Sequence, residues 1–231
     1  MDCFVSWSGG KDSCLAYWKA RQEGLAVRYA LTMHDRGVTA AHGLPLRVVE
    51  KQVKSLGLEL VAVDSGWDDY EDNFKKAVSG LANRGVVRGV FGDIDLEEHR
   101  RWVERVCEEA GVAAELPLWG AAQEDLLMEW VEGGFRAVIT AVNSAVLDLR
   151  WLGRPLDRNT VEELIVLAKR QGFSPSGEAG EYHTLVLGGP PFQTNLAVER
   201  ATPCYASGYW KLEVSDVSSW PKEAGSVESV L

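Results

Sequence analysis

The sequence predicts an α/β protein: a doubly wound, five-stranded parallel sheet over residues 1–120, then a second, smaller α+β domain over residues 121–231. Three observations predict it. Short apolar, β-rich runs alternate with longer amphipathic runs through the first half, the pattern of a parallel sheet with helices on both faces. Beyond Trp119 that rhythm breaks, which places a domain boundary between about 118 and 135. The first apolar run also passes through Ser8-Gly9-Gly10-Lys11-Asp12-Ser13 straight into a helical run, a junction that packing alone would not require.

The elements follow in order. CFVSW reads as the first strand and DSCLAYWKARQEG as a helix starting near Asp12 or Ser13 and closed by Gly24. VRYALTM is a second strand, followed by a polar loop with His34, Asp35 and His42. Pro45 can open the helix LRVVEKQVKSLG, which Gly57 ends. LELVAVDS is a third strand. The helix after it carries acidic residues early and basic ones late, as the helix dipole favours. VVRGVFGDI is a fourth strand and DLEEHRRWVERVCEEAG a helix, with Trp102, Val103, Val106 and Cys107 at helical spacing. VAAELPLW completes the sheet. The second domain reads as a helix at QEDLLMEWVEG, a strand at RAVITAVN, a helix at VEELIVLAKRQG, a Gly-rich segment and a β-like tail, with the last dozen residues loosely ordered.

Composition excludes several classes. No apolar run approaches the ~20 residues that span a bilayer, and Met1-Asp2-Cys3-Phe4 is not the start of a secretory signal, so a cytoplasmic, membrane-free protein is expected. Lys and Arg number 24 against 34 Asp and Glu, a formal net charge of −10 that argues against nonspecific nucleic-acid binding. Cys3, Cys14, Cys107 and Cys204 form no C-x-x-C and read as buried structural thiols. The nine tryptophans do not interleave with a basic stripe and read as core and interface anchors.

The first junction is built for an anion. Gly9 and Gly10 allow a tight turn and close backbone approach, and the next helix points its unpaired N–H groups and positive dipole end into the same space. Lys11 adds a cation, and Ser8 and Ser13 add hydroxyls. The loop is neither Walker A nor the G-x-G-x-x-G dinucleotide type. A simple glycine turn with Asp12 or Ser13 as N-cap is the plainer alternative.

SGGKDS closely resembles the SGGxDS loop of the ATP pyrophosphatases. That resemblance implies a nucleotide alpha hydrolase-like, Rossmann-like sheet, ATP and Mg²⁺ as cofactors, and release of AMP and pyrophosphate after adenylylation of a carboxyl or carbonyl oxygen. With no paired cysteine system, nitrogen transfer is favoured over thiolation; with no glutaminase segment, free ammonia is the simplest nitrogen source. SGEAGEYHT (176–184) with LVLGGPPF after it, ELPLWG (115–120) and LDLRWLGRPLD (147–157) resemble the diphthine–ammonia ligase family, so the likeness runs from Ser8 to about Phe192. It implies that Ser8, Gly9, Gly10, Lys11 and Ser13 cradle the β and γ phosphates, that Asp12 coordinates Mg²⁺, and that Glu178 and Glu181 face the cleft near the acceptor or ammonia. The implied partners are ATP, ammonia and elongation factor 2 carrying diphthine, and a homodimer is allowed for. FGDIDLEEHR (91–100) stands where members closest to the ligase carry a small-residue stretch, so the resemblance carries the ATP chemistry further than the acceptor.

Other residues are weighed individually. Asp93 follows the fourth strand at the ligand edge, where nucleotide contact is expected; Asp95 is expected to cap the next helix with Glu98. His99 is expected on an exposed helix face. His34 and His42 lie in a loop within reach of a nucleotide. Arg154 can bind a carboxylate or phosphate through its planar fork, or pair with Asp157. Two further functions stay open: an adenine-nucleotide-binding module without turnover, and a pyrophosphatase acting on another acceptor such as a tRNA base.

Overall fold

A computed structural model of the chain describes residues 1–39 and 42–222. The expectation of a loose C-terminal tail lies, from residue 223 onward, outside the described residues. The expected five parallel strands are β1 (Asp2–Ser6), β2 (Ala26–Asp35), β4 (Glu59–Asp64), β5 (Val86–Val90) and β6 (Ala113–Glu115). They lie side by side in the order β4-β2-β1-β5-β6. A two-residue strand not foreseen, β3 (Val38–Thr39), folds back antiparallel on the end of β2. Strand order reverses between β1 and β5, and the crevice outside their carboxyl ends is where open α/β sheets bind ligands.

Helices α1 (Lys11–Gln22) and α2 (Leu46–Leu56) cover one face of the sheet, and α3 (Tyr70–Ala82) and α4 (Glu97–Glu109) the other. Alternate β1 residues divide accordingly: Cys3 and Val5 join the α1/α2 core, and Phe4 joins the α3/α4 core. Pro45 precedes α2, and Gly57 ends it in the left-handed region at φ 69°, as the sequence predicts.

The second unit holds α5 (Gln123–Glu132), α6 (Arg158–Gln171) and the strands β7 (Arg136–Asn143), β8 (Tyr182–Gly188), β9 (Thr194–Ala206) and β10 (Tyr209–Pro221). The strands form an antiparallel sheet in the order β8-β7-β10-β9. This sheet packs on α1 and α2, which therefore lie between the two sheets, and one apolar core runs through all of these elements. Asp157 starts α6 by accepting the Thr160 N–H at 2.9 Å.

Gln52 of α2, fully buried, pins three layers together. Its Oε1 accepts the Trp7 indole N–H at 3.1 Å, and its Nε2 donates to the carbonyls of Gly9 at 3.0 Å and Val186 of β8 at 2.7 Å. Replacing it by leucine strands the Trp7 N–H and the Val186 carbonyl without water, each costing about 1–3 kcal/mol. Gln52→Leu is expected to lower the unfolding free energy by about 3 kcal/mol in a urea titration, and a loss below about 1 kcal/mol would contradict the clamp.

Candidate active site

The loop after β1 is shaped by what presses on it. Thr32 Oγ1 donates to the Trp7 carbonyl at 2.8 Å, fixing where the strand ends. Gly9 sits at φ 87°, where an added Cβ would also lie 2.7 Å from Leu44 Cδ1; at Gly10 it would lie 2.2 Å from His42 Cε1. A side chain at Gly9 would be strained by its backbone angle, and one at Gly10 would force His42 aside. Helix α1 begins one residue earlier than expected, at Lys11, and its N-cap Gly10 provides no side-chain cap. Two loop amides have protein partners: Gly10 N–H donates to Ser8 Oγ at 3.3 Å and Lys11 N–H to Thr184 Oγ1 at 3.0 Å. Gly92, after β5, packs so closely on the backbone of Asp12 and Ser13 that a Cβ there would fall 2.7 Å from the Asp12 carbonyl carbon. That approach ends β5 at Val90, shorter than the sequence pattern, and brings Asp93 beside the start of α1.

Lys11 is 5% exposed, and its ammonium meets Asp12 Oδ2 at 2.8 Å, the Ser176 carbonyl, and the Tyr182 ring at 5.1 Å. Burial alone would lower its pKa, yet the Asp12 carboxylate and its neighbours hold it above the ordinary lysine value.

The segment 174–184 closes over this corner through its own network. Glu181 Oε1 accepts the Ser174 N–H at 2.8 Å and its Oε2 the Ala179 N–H at 3.1 Å. Gln123 accepts from Ser174 Oγ and the Ser176 N–H, and donates to Asp95 Oδ2 at 2.6 Å. Tyr182 and Tyr209 hydroxyls hold the carbonyls of Pro175 and Gly180, each at 2.9 Å. Glu178 is thereby delivered across the units, where its Oε1 accepts the Ile94 N–H at 3.0 Å.

The result is a cavity of about 280 Å³ lined by Ser6, Ser8, Lys11, Asp12, Ser13, His42, Phe91, Gly92, Asp93, His99, Gly177, Glu178, Tyr182, His183 and Thr184. Of the expected site residues, Ser8, Lys11, Asp12, Ser13, Asp93 and Glu178 meet there, with Gly9 and Gly10 in the turn beneath. Glu181 does not line it: its carboxylate is spent on the two amides of its own loop. Burial, reinforced by the Asp12 and Asp93 carboxylates, pushes Glu178 up to about 7. Burial also raises Asp93, against the pull of His99.

Other expectations are corrected. Asp95 does not cap α4, whose N-cap is Leu96; it anchors Gln123 instead. His99 is exposed on α4 as expected, and it also lines the cavity, with Nδ1 3.4 Å from Asp93 Oδ1. His34 lies against Asp64, outside the cavity lining. Arg154 pairs with both oxygens of Glu163, not Asp157, and covers the Trp151 ring at 4.6 Å. Trp67 is 78% exposed, stacked on Tyr70, rather than a core anchor. Cys3, Cys14 and Cys107 are buried free thiols, as expected, whereas Cys204 on β9 is only half-buried, its thiol 3.3 Å from Glu213 Oε1. Sequence reasoning missed His183 and Thr184 as cavity residues, although both lie inside the motif it quoted, and it missed Gln52 and Gln123, for which no local signal exists.

Family models place the chain. The diphthamide synthase N-terminal domain matches residues 1–114 and the diphthamide synthase C-terminal domain residues 122–217, together most of the chain. Curated relatives include the diphthine–ammonia ligase of Bos taurus, 31% identical over 161 residues, 69% of this chain and 60% of that protein. The Schizosaccharomyces pombe diphthine–ammonia ligase is 31% identical over 66% of this chain and 26% of that protein. The Mus musculus diphthine–ammonia ligase is 26% identical over 83% and 80%. The matched region thus spans 60% or less of the length of the first two. A solved structure, described as a predicted subunit of tRNA methyltransferase from Methanocaldococcus jannaschii, aligns over 82% of this chain and 98% of that chain at TM-score 0.47 and 18% identity, too loose a likeness to carry an argument. The chain belongs to the diphthamide synthase family.

His42 and His183 stack at 4.8 Å, and His42 Nδ1 lies 3.1 Å from the Thr184 carbonyl. Burial, with Lys11 nearby, lowers His42 from 6.5 to about 4 and His183 to about 3. Below pH 6.5 the unfolded chain therefore takes up protons that the folded chain refuses, so this stabilisation is whole above 6.5 and is lost as pH falls. Glu178 acts oppositely: between 4.5 and about 7 the folded chain keeps its proton, so its contribution declines as pH rises. In urea titrations, His42→Gln should gain stability relative to the unsubstituted chain as pH falls from 6.5 towards 4. A constant difference across that window would refute a neutral, buried His42.

Proposed function

We propose that this member of the diphthamide synthase family is an ATP-dependent carbon–nitrogen ligase of the diphthine–ammonia ligase type. ATP adenylylates an acceptor carboxylate, ammonia attacks the acyl-adenylate, and an amide, AMP and pyrophosphate leave. The observation that carries the reading is the meeting of the Ser8–Ser13 loop with Glu178 in one cavity at the sheet's switch point. The acceptor implied by the family is diphthine on elongation factor 2, with the reaction taking place in the cytoplasm.

The chain's own residues account for the main requirements. The turn at Gly9-Gly10 and the N-terminus of α1 present amides, a positive dipole end and the Ser8 and Ser13 hydroxyls to phosphate oxygens. Lys11 offsets charge that builds on the departing pyrophosphate, a preorganised effect worth several kcal/mol in many enzymes. Glu178, with its pKa near neutrality, is suited to hold or release a proton beside the acceptor. Among the described residues no group of three metal-ligating side chains converges, and Asp12 lines the cavity while sharing its carboxylate with Lys11. This fits Mg²⁺, which takes one or two carboxylates and completes its shell with phosphates and water. Asp12 would hold it, and the ion would neutralise phosphate charge.

The test combines protein, ATP, Mg²⁺, ammonium and a diphthine-bearing elongation factor. AMP and amide should form only when the factor is present. Lys11→Ala should reduce AMP formation at least about 100-fold while circular dichroism stays native, because the Asp12 carboxylate left behind is 29% exposed and keeps access to water. Factor-independent AMP, or a fully active Lys11→Ala protein, would sink the reading.

A further inference from the structure

Residues 91–100 contribute Asp93 and His99 to the cavity wall. Asp93 lies in the turn after β5 and His99 in the first turn of α4, with His99 Nδ1 3.4 Å from Asp93 Oδ1. The carboxylate is 20% exposed and the imidazole 60%, so one is held in the wall while the other also meets water. Glu178 reaches the same corner, because Ile94, whose N–H it accepts, directly follows Asp93. Asp12 and Lys11 of α1, with His42 and His183, line the rest of the cavity. Tyr70 of α3 also faces this corner, its ionisation disfavoured by burial first and by the Asp93 charge second. On its own helix, His99 has neighbours already committed: Arg100 to Glu104 and Arg101 to Glu97.

Resting on the ligase reading, we propose that this corner receives the nitrogen nucleophile and that His99 takes its proton. Ammonia near neutrality is mostly ammonium, which has no lone pair and cannot attack an acyl carbon. The Asp93 and Glu178 carboxylates draw the cation in. A proton on His99 Nδ1 faces Asp93, which leaves Nε2 as the basic nitrogen. The ammonium proton passes to Nε2, Asp93 steadies the imidazolium, and the exposed face of the ring later returns the proton to water. The freed lone pair forms the carbon–nitrogen bond, and the carbon–oxygen bond to the adenylate breaks with AMP keeping the electron pair. The nitrogen then loses one more proton to solvent and becomes the amide. His99 is the catalytic base in this scheme, and Asp93 is a positioning residue.

A competition experiment isolates this step. The acyl-adenylate formed on the diphthine-bearing factor is offered ammonium and hydroxylamine together, hydroxylamine being largely uncharged at neutral pH. The ratio of amide to hydroxamate depends only on events after adenylylation, so slow activation or partial folding leaves it unmoved. His99→Gln should lower the ratio about 100-fold at pH 7, within the range for general bases, and each unit of rising pH should restore it roughly tenfold as free ammonia replaces ammonium. Asp93→Asn should lower the same ratio, by less than His99→Gln does, because the ring keeps its basic nitrogen but loses the carboxylate that faces its Nδ1. A ratio unchanged in His99→Gln overturns the inference, as does a drop confined to Glu178→Gln, which would make that carboxylate the base. If the unsubstituted protein yields neither product, the ligase reading falls and takes this inference with it.

Discussion

A lysine ammonium taken out of water is the constraint around which this site is arranged. Desolvating such an ion is tolerable only when its protons find partners. Lys11 finds them on both sides of a chain junction: the Asp12 carboxylate on its own helix and the Ser176 carbonyl in the second unit. The face of Tyr182 covers it. Supplying the carbonyl requires segment 174–184 to lie against the start of α1, and the same placement lets Thr184 receive the Lys11 N–H. Once that segment is docked, Glu178 can reach only one neighbourhood, the turn after β5.

The two units are consequently not independent bodies joined by a linker. Helix α1 is buried on both sides, with Cys14, Leu15, Ala16, Tyr17 and Ala20 all in the core that continues into the antiparallel sheet. The Gly9 carbonyl accepts from the Val186 N–H as well as from Gln52, so β8 contributes directly to the shape of the Ser8–Ser13 loop. A cavity made this way has walls from both units. Its geometry depends on the same packing that stabilises the fold.

What could be read from the sequence follows from the range of the interactions concerned. The Ser8–Ser13 loop was legible because a strand, two glycines and a helix start are local events, each with its own chemistry. The five strands and their helices were legible for the same reason. Glu178 and Glu181 could not be told apart, since both flank Ala179 and Gly180 and only the fold of the loop decides which carboxylate turns inward. Asp95 followed the pattern of a capping residue, but a long-range partner, Gln123, claimed it. His42 and His183 are 141 positions apart and become neighbours only after the second sheet docks. Gln52 looks like any polar residue on an amphipathic helix until Trp7 and Val186 close around it.

The cavity's charge layout resolves an apparent conflict. A triphosphate is a polyanion, yet Asp12, Asp93 and Glu178 all border the space proposed to hold it. The layout divides along the sheet's switch point. On the α1 side stand the helix N-terminus, the two-glycine turn and Lys11, with the Asp12 carboxylate there already paired to the Lys11 ammonium. Across from it, the Ile94 N–H holds Glu178 beside Asp93, and burial first, with repulsion from neighbouring carboxylates second, raises the pKa of both. An incoming phosphate would raise those carboxylates further, so the acidic wall sheds charge as the polyanion arrives, whereas a cationic nucleophile would restore it. The same wall can therefore tolerate the first reactant and attract the second, in the order that activation before amidation requires.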